Sequence, residues 1–294
     1  MLSDRNVDTN VDAAHLEARS TNIRWCEISL NAMPYATGDG TRIYWEESGD
    51  GEPLLLIMGL GYSHEMWHRT RPVVSAHYRT ILFDNRGVGK SGVPQGAYSI
   101  AQMAADAAAV LDAAGVQKSR VFGVSMGGMI AQEFALNYPE RVERLVLGCT
   151  ACGGQKAVHA EQSVLDVLMA RARMTPDEGA EAMVPFIYDA STPRGRIDED
   201  LAIRRRTYPE MAGYLGQLQA ILSWGCFERL GGLKAPTLII HGETDRLVPP
   251  ENAGILGQAI GGSRVTMLPH ASHLFTTDQP EASHREVLTF LSAA

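Results

Sequence analysis

An α/β architecture, with a mostly parallel central sheet flanked by helices and a helical cap inserted late in the chain, is predicted by three observations. Short continuous apolar runs recur along the sequence with helical stretches between them. One run leads through Gly123-Val124-Ser125-Met126-Gly127 directly into an amphipathic helix pattern. The rhythm stops between residues 151 and 232 and then resumes.

Taken in order, residues 1–31 are polar and weakly patterned, as expected of a loose N-terminal arm or a short surface helix. Thr41-Arg42-Ile43-Tyr44-Trp45-Glu46 reads as a strand after the turn signal Gly38-Asp39-Gly40. Pro53–Met58 is apolar without alternation, which suits a strand buried on both faces. Tyr78–Phe83, Val121–Val124, Leu145–Leu147, Thr237–Ile240 and Val265–Leu268 repeat that pattern. Ser99 with Gln102 three residues on forms a capping box that starts a helix ended by Gly115. Met126–Tyr138 is a second helix, stopped by Pro139, and Pro280–Leu291 closes the chain. Strands alternating with helices imply right-handed parallel crossovers, with sites at the carboxyl ends of the strands. The core is expected over residues 32–150 and 233–294, and the cap over 151–232. Met169, Met174, Met183, Phe186, Tyr188, Met211, Tyr214, Trp224 and Phe227 are expected to pack inside that cap or to line an apolar pocket beneath it.

Bulk properties narrow the function. The 294 residues carry 34 acidic and 26 basic side chains, a net charge of −8 that repels nucleic acid. The run Arg204-Arg205-Arg206 is too short to reverse this and reads as a solvated helix face. No apolar run approaches the ~18 residues of a membrane span, and no signal-peptide pattern opens the chain, so no membrane partner and a cytoplasmic location are expected. Cys149 and Cys152 form a CxxC without a second pair, which reads as two small residues at a buried strand end. Neither HExxH, a P-loop nor a GxGxxG opening a βαβ unit is present, so no metal or other cofactor is expected.

The chemistry starts at Ser125. A sharp strand-to-helix turn lifts a serine hydroxyl out of the sheet, and the flanking glycines let the backbone pass. The following helix aims unpaired N–H groups at the same point. A serine hydroxyl needs a base to take its proton and an acid to orient that base. Asp245 lies just past the strand Leu238–Ile240, and His273 just past Val265–Leu268. The competing readings are Ser125 as a plain helix N-cap, Asp245 as a turn former with Glu243 as the acid, and His273 as structural with His270 as the base. His64 and His68 beside Trp67, His241, Asp84 and Arg86 read mainly as packing and loop-fixing residues.

Together, GxSxG on such a turn, Asp84-Asn85-Arg86-Gly87-Val88-Gly89-Lys90-Ser91, Gly242-x-x-Asp245 and the late His273 resemble the α/β-hydrolase fold from about Met33 onward. The pattern is most similar to an esterase and lactonase branch often compared with 3-oxoadipate enol-lactone hydrolases, with haloperoxidase-like esterases close by. The resemblance implies Ser125 as nucleophile, His273 as general acid and base, and Asp245 as orienting acid. Many members carry His-Gly after the third strand, where this chain has Met58-Gly59-Leu60-Gly61. The oxyanion hole is then expected from the backbone N–H groups of Leu60 and Met126. The dehalogenase branch has aspartate at the elbow, so Ser125 argues against dehalogenation. The expected function is hydrolysis of small to medium carboxylic esters or lactones through an acyl-enzyme. The alternatives are a ligand-binding receptor on the same scaffold, and perhydrolase or carbon–carbon hydrolase chemistry with the same residues.

Overall fold

The computed structural model describes residues 34–293, so the arm expected over 1–31 and Cys26 lie outside the described residues. Eight strands form one sheet: β1 (Tyr35–Gly38), β2 (Thr41–Ser48), β3 (Pro53–Ile57), β4 (Arg79–Phe83), β5 (Ser119–Val124), β6 (Val142–Gly148), β7 (Thr237–Gly242) and β8 (Arg264–Leu268). Their order is β1-β2-β4-β3-β5-β6-β7-β8. β1–β2 and β2–β4 pair antiparallel and all other neighbours run parallel. The apolar runs read from the sequence form β3 to β8, because a strand covered on both faces has no solvent side to signal by alternation.

Consecutive residues of β3 serve opposite layers. Leu55 and Ile57 join the core beneath the helices Ile100–Ala113 and Met126–Asn137. Leu54, Leu56 and Met58 join the opposite core with Trp67, Phe275 and Leu291. The first helix begins as expected: Ser99 Oγ accepts the Gln102 N–H at 3.1 Å, and Gln102 Oε1 accepts the Ser99 N–H at 3.1 Å.

Between β6 and β7 the chain leaves the sheet and builds the cap helices Gln162–Ala170, Pro176–Glu181, Val184–Ile187, Arg194–Arg206 and Met211–Leu222. Val164, Met183, Ile187, Tyr188, Ile197 and Leu201 form a small core of their own. The sequence reading placed Met169 inside the cap or at a pocket, but it is 75% exposed because its helix turns Val164 inward instead. Trp224 and Phe227 pack on the main core rather than within the cap. The arginine run also departs from expectation. Arg205 and Arg206 are exposed and pair with Asp177 and Glu65, whereas Arg204 is only 3% exposed. Successive helical residues are turned by about 100°, so a three-residue run cannot keep to one face. Among the described residues, no helix is long and apolar enough to cross a membrane.

Candidate active site

The tight passage from β5 into the helix Met126–Asn137 sets Ser125 in an unusual backbone conformation. Its φ is 55° and ψ −124°, a region that non-glycine residues avoid unless the surroundings impose it. The surroundings do impose it. The Ser125 N–H donates to Gly148 O at 2.8 Å, continuing the β5–β6 ladder, while Ser125 O accepts the Gly128 and Met129 N–H groups of the first helical turn. The helix lies so close to the sheet that a Cβ on Gly123 would come 2.2 Å from Gly127 O. A Cβ on Gly127 would come 2.1 Å from Ile57 O. The two glycines of the motif are therefore there for close approach. Ser125 does not act as a side-chain N-cap for this helix, which removes the bland reading of that residue.

His273 and Asp245 meet from the loops after β8 and β7. His273 Nδ1 lies 2.8 Å from Asp245 Oδ2. The other carboxylate oxygen accepts the Leu247 and Val248 N–H groups, each at 2.9 Å. Burial pushes the Asp245 carboxyl up, but the neighbouring His273 charge and hydrogen bonds from His241 and His273 outweigh it and hold the pKa at about 2. An ionised carboxylate only accepts, so Nδ1 of His273 carries the hydrogen of this bond. Glu243 and His270, the substitutes considered from sequence, are both exposed and take no part in this pair.

Ser125, His273, Leu60 and Met126 all line one cavity of about 520 Å³ between sheet and cap, and Asp245 stands behind His273. Met183 and Tyr214 of the cap also line it. Leu60 lies in a β-turn from Gly59 to Tyr62, closed by the Tyr62 N–H donating to Gly59 O at 3.3 Å. Gly61 has φ 67°, the left-handed value that a type II turn requires at its third residue. Gly59 lies against the serine: a Cβ there would come 3.5 Å from Ser125 Oγ. The Gly61 N–H is committed to Gln217 Oε1 at 2.7 Å, and the Gly61 carbonyl accepts from Arg204. Among the described residues, the Leu60 and Met126 amides have no such acceptor. Sequence reasoning found neither Gln217 nor Arg204, since nothing local ties them to a turn some 150 residues earlier.

The remaining sequence candidates have other duties. His64 Nδ1 lies 2.7 Å from Asp84 Oδ1, and Asp84 also accepts the His64 and Lys90 amides. Arg86 forms a buried two-point pair with Asp106. His68 bonds Asp200 of the cap at 2.8 Å. His241 is fully buried, bonds Val248 O at 2.8 Å and touches Asp245 Oδ2 at 3.3 Å, so it braces the acid from behind. Cys149 and Cys152 are buried free thiols. Cys149, Asp245 and His273 bring donor atoms within 4.8 Å of one another. That set suits a cation poorly: burial and the Asp245 charge push the Cys149 thiol up and keep it protonated, and both Asp245 oxygens are already engaged.

The chain is similar to known proteins over most of its length. The chain is 32% identical over 269 residues to a protein of Azorhizobium caulinodans named "Putative carbamate hydrolase RutD", covering 88% of this chain and 98% of that one. It is 31% identical to the poly(3-hydroxyalkanoate) depolymerase of Ectopseudomonas oleovorans, covering 81% and 84%. The crystal structure of the enol-lactonase from Burkholderia xenovorans LB400 superposes with a TM-score of 0.78 at 27% identity, covering 88% of this chain and all of that one. Residues 52–200 match the family model described as alpha/beta hydrolase fold. With its eight-stranded sheet, its serine elbow, the family match and relatives covered over 84% to 100% of their length, the chain belongs to the α/β-hydrolase fold family.

Proposed function

We propose that this protein hydrolyses carboxylic esters or lactones through an acyl-enzyme on Ser125. The observation that carries the reading is one cavity lined by both Ser125, on its strained turn, and His273, whose ring is oriented by ionised Asp245. In this mechanism Ser125 Oγ attacks the carbonyl carbon and His273 Nε2 takes the hydroxyl proton. The carbonyl oxygen gains the negative charge and is held by the Leu60 and Met126 N–H groups. Collapse expels the alkoxide, which His273 protonates. Water then attacks the acyl-enzyme with His273 again as base, releasing acid and free serine. Residues 151–232 serve as the cap that shapes the acyl pocket, over the core formed by the described residues on either side of them. The names of the enol-lactonase and the poly(3-hydroxyalkanoate) depolymerase support this choice.

A panel of p-nitrophenyl esters, lactones and one aryl carbamate tests the reading, with Ser125→Ala alongside. One ester in the panel carries a carboxylate, because Arg171 lines the cavity with no carboxylate partner among the described residues. Turnover by the wild type, falling on the order of a millionfold in a folded Ser125→Ala variant, is the expected result. Absence of turnover across the panel moves the assignment to a binding protein on the same scaffold. Equal turnover by the variant removes Ser125 as nucleophile.

A further inference from the structure

We infer that the cap is part of the oxyanion hole: Gln217 and Arg204 are positioning residues that fix the turn presenting the Leu60 amide. The inference rests on the hydrolase reading and deepens it. Both polar ends of Gly61 are bound by cap side chains. Its N–H donates to Gln217 Oε1 at 2.7 Å and its carbonyl accepts from Arg204 Nη1, in two buried contacts. Leu60 stands directly before it in the same turn, so bonds that fix both Gly61 peptides hold the turn on which the preceding Gly59–Leu60 peptide, with its N–H, is set. Directly after β3 the sequence has Met58-Gly59 in place of His-Gly, and the core-side bond there is Asn85 Nδ2 donating to Met58 O at 2.8 Å, one residue before the turn.

Three further features favour a positioning role over general packing. Gln217 is fully buried, and its Nε2 donates to Arg86 O at 2.8 Å, so one side chain spans the loops after β3 and β4. The helix that carries it is seated backbone to backbone on the core. A Cβ on Gly213 would come 1.9 Å from Gly87 O, and one on Gly216 would come 2.7 Å from the Tyr98 ring. That contact leaves Gln217 little room to shift.

Arg204 is the third. It is buried with no carboxylate partner among the described residues, between the rings of Tyr62 at 4.2 Å and Tyr208 at 4.9 Å. Burial, and the nearby Arg171 charge, push its guanidinium below the usual range. A buried cation without a counter-charge is a poor device for stability. Its hydrogen bond to the Gly61 carbonyl gives it a purpose.

The test uses the full chain and the best ester of the panel. Gln217→Met and Arg204→Met keep bulk and remove the bonds to Gly61, and Arg204→Lys restores a single donor. Expected are kcat values about 10- to 100-fold lower in the two methionine variants, with KM within about threefold. A boronic acid that mimics the tetrahedral intermediate should lose affinity in proportion to kcat. Arg204→Lys should recover most of the loss. The transition-state analogue is the readout that a merely structural role would not move. Folded methionine variants with wild-type kcat and analogue affinity overturn the inference, as does a change confined to KM. If both methionine variants fail to fold, Gln217→Asn, whose shorter side chain cannot reach the Gly61 N–H, decides it: analogue affinity falling with kcat supports the inference, and wild-type values of both overturn it. A wild type without turnover on any member of the panel overturns the hydrolase reading and this inference with it. Active wild type with unaffected variants overturns this inference alone.

Discussion

The two halves of the site are held in different ways. The strand-end half contains Ser125, Asp245 and His273, each one to five residues past the end of a core strand. Its contacts come from the core itself: the β6 carbonyl of Gly148, the Leu247 and Val248 amides, and His241. The turn half contains Leu60 and Gly61, and it is held by side chains that enter with the cap. In the proposed mechanism, displacing the cap would remove the Gln217 and Arg204 bonds to Gly61 while leaving these core contacts in place.

The largest expected effect probes the strand-end half. Asp245→Asn keeps an oxygen for the Leu247 and Val248 amides but no longer fixes the His273 tautomer. Turnover should fall on the order of 10⁴-fold, with KM nearly unchanged, in steady-state kinetics. A loss carried mainly by KM would show that this half depends on the substrate pocket after all, and the comparison would fail.

Asp278 marks where the two regimes touch. Its carboxylate accepts the Ser272 N–H at 2.7 Å, next to His273, and the Asp189 N–H and Thr192 Oγ1 of the cap segment. Burial pushes its pKa up to about 6, with those hydrogen bonds opposing the rise. Between about pH 4 and 6 the folded chain holds a proton that the unfolded chain has released. Stability must then decline as pH rises through that window, by at most about 3 kcal/mol. Asp278→Asn should abolish this part of the pH dependence, read from urea unfolding at both ends of the window. An unchanged slope would assign the effect to other groups and leave the strand-end half independent of the cap.

The smallest effect concerns the elbow. Alanine normally improves a helix by about 1 kcal/mol over glycine, yet Gly127→Ala should lower stability by about 1–3 kcal/mol, because its new methyl meets the immobile Ile57 carbonyl. A thermal melt reads this directly. A rise in Tm would mean that the close approach of helix to β3 is dispensable.

How much of this was legible in the sequence follows the same division. Buried parallel strands announce themselves as unbroken apolar runs, and the serine, acid and base lie at short offsets from their ends. Ser125, Asp245 and His273 could thus be named from local pattern, and Leu60 and Met126 from the resemblance. Gln217 and Arg204 could not. Their partners lie 156 and 143 residues away, and the polar run that contains Arg204 looks like solvent-facing surface. Only the rotation of the helix Arg194–Arg206 shows that one of its three consecutive arginines faces inward. Met169 failed in the opposite sense, since an apolar side chain on a short amphipathic helix can still fall on the wet side.

The position of the cap between β6 and β7 has a consequence for synthesis on the ribosome. Ser125 and the Leu60 turn emerge first, then Arg204 and Gln217, and Asp245 and His273 only afterwards. A nascent chain can present a folded nucleophile turn long before it owns the base that would arm it. In the proposed mechanism, reactivity is thus acquired only once the segment with Asp245 and His273 has been made, and a chain that stalls within the cap would be chemically silent.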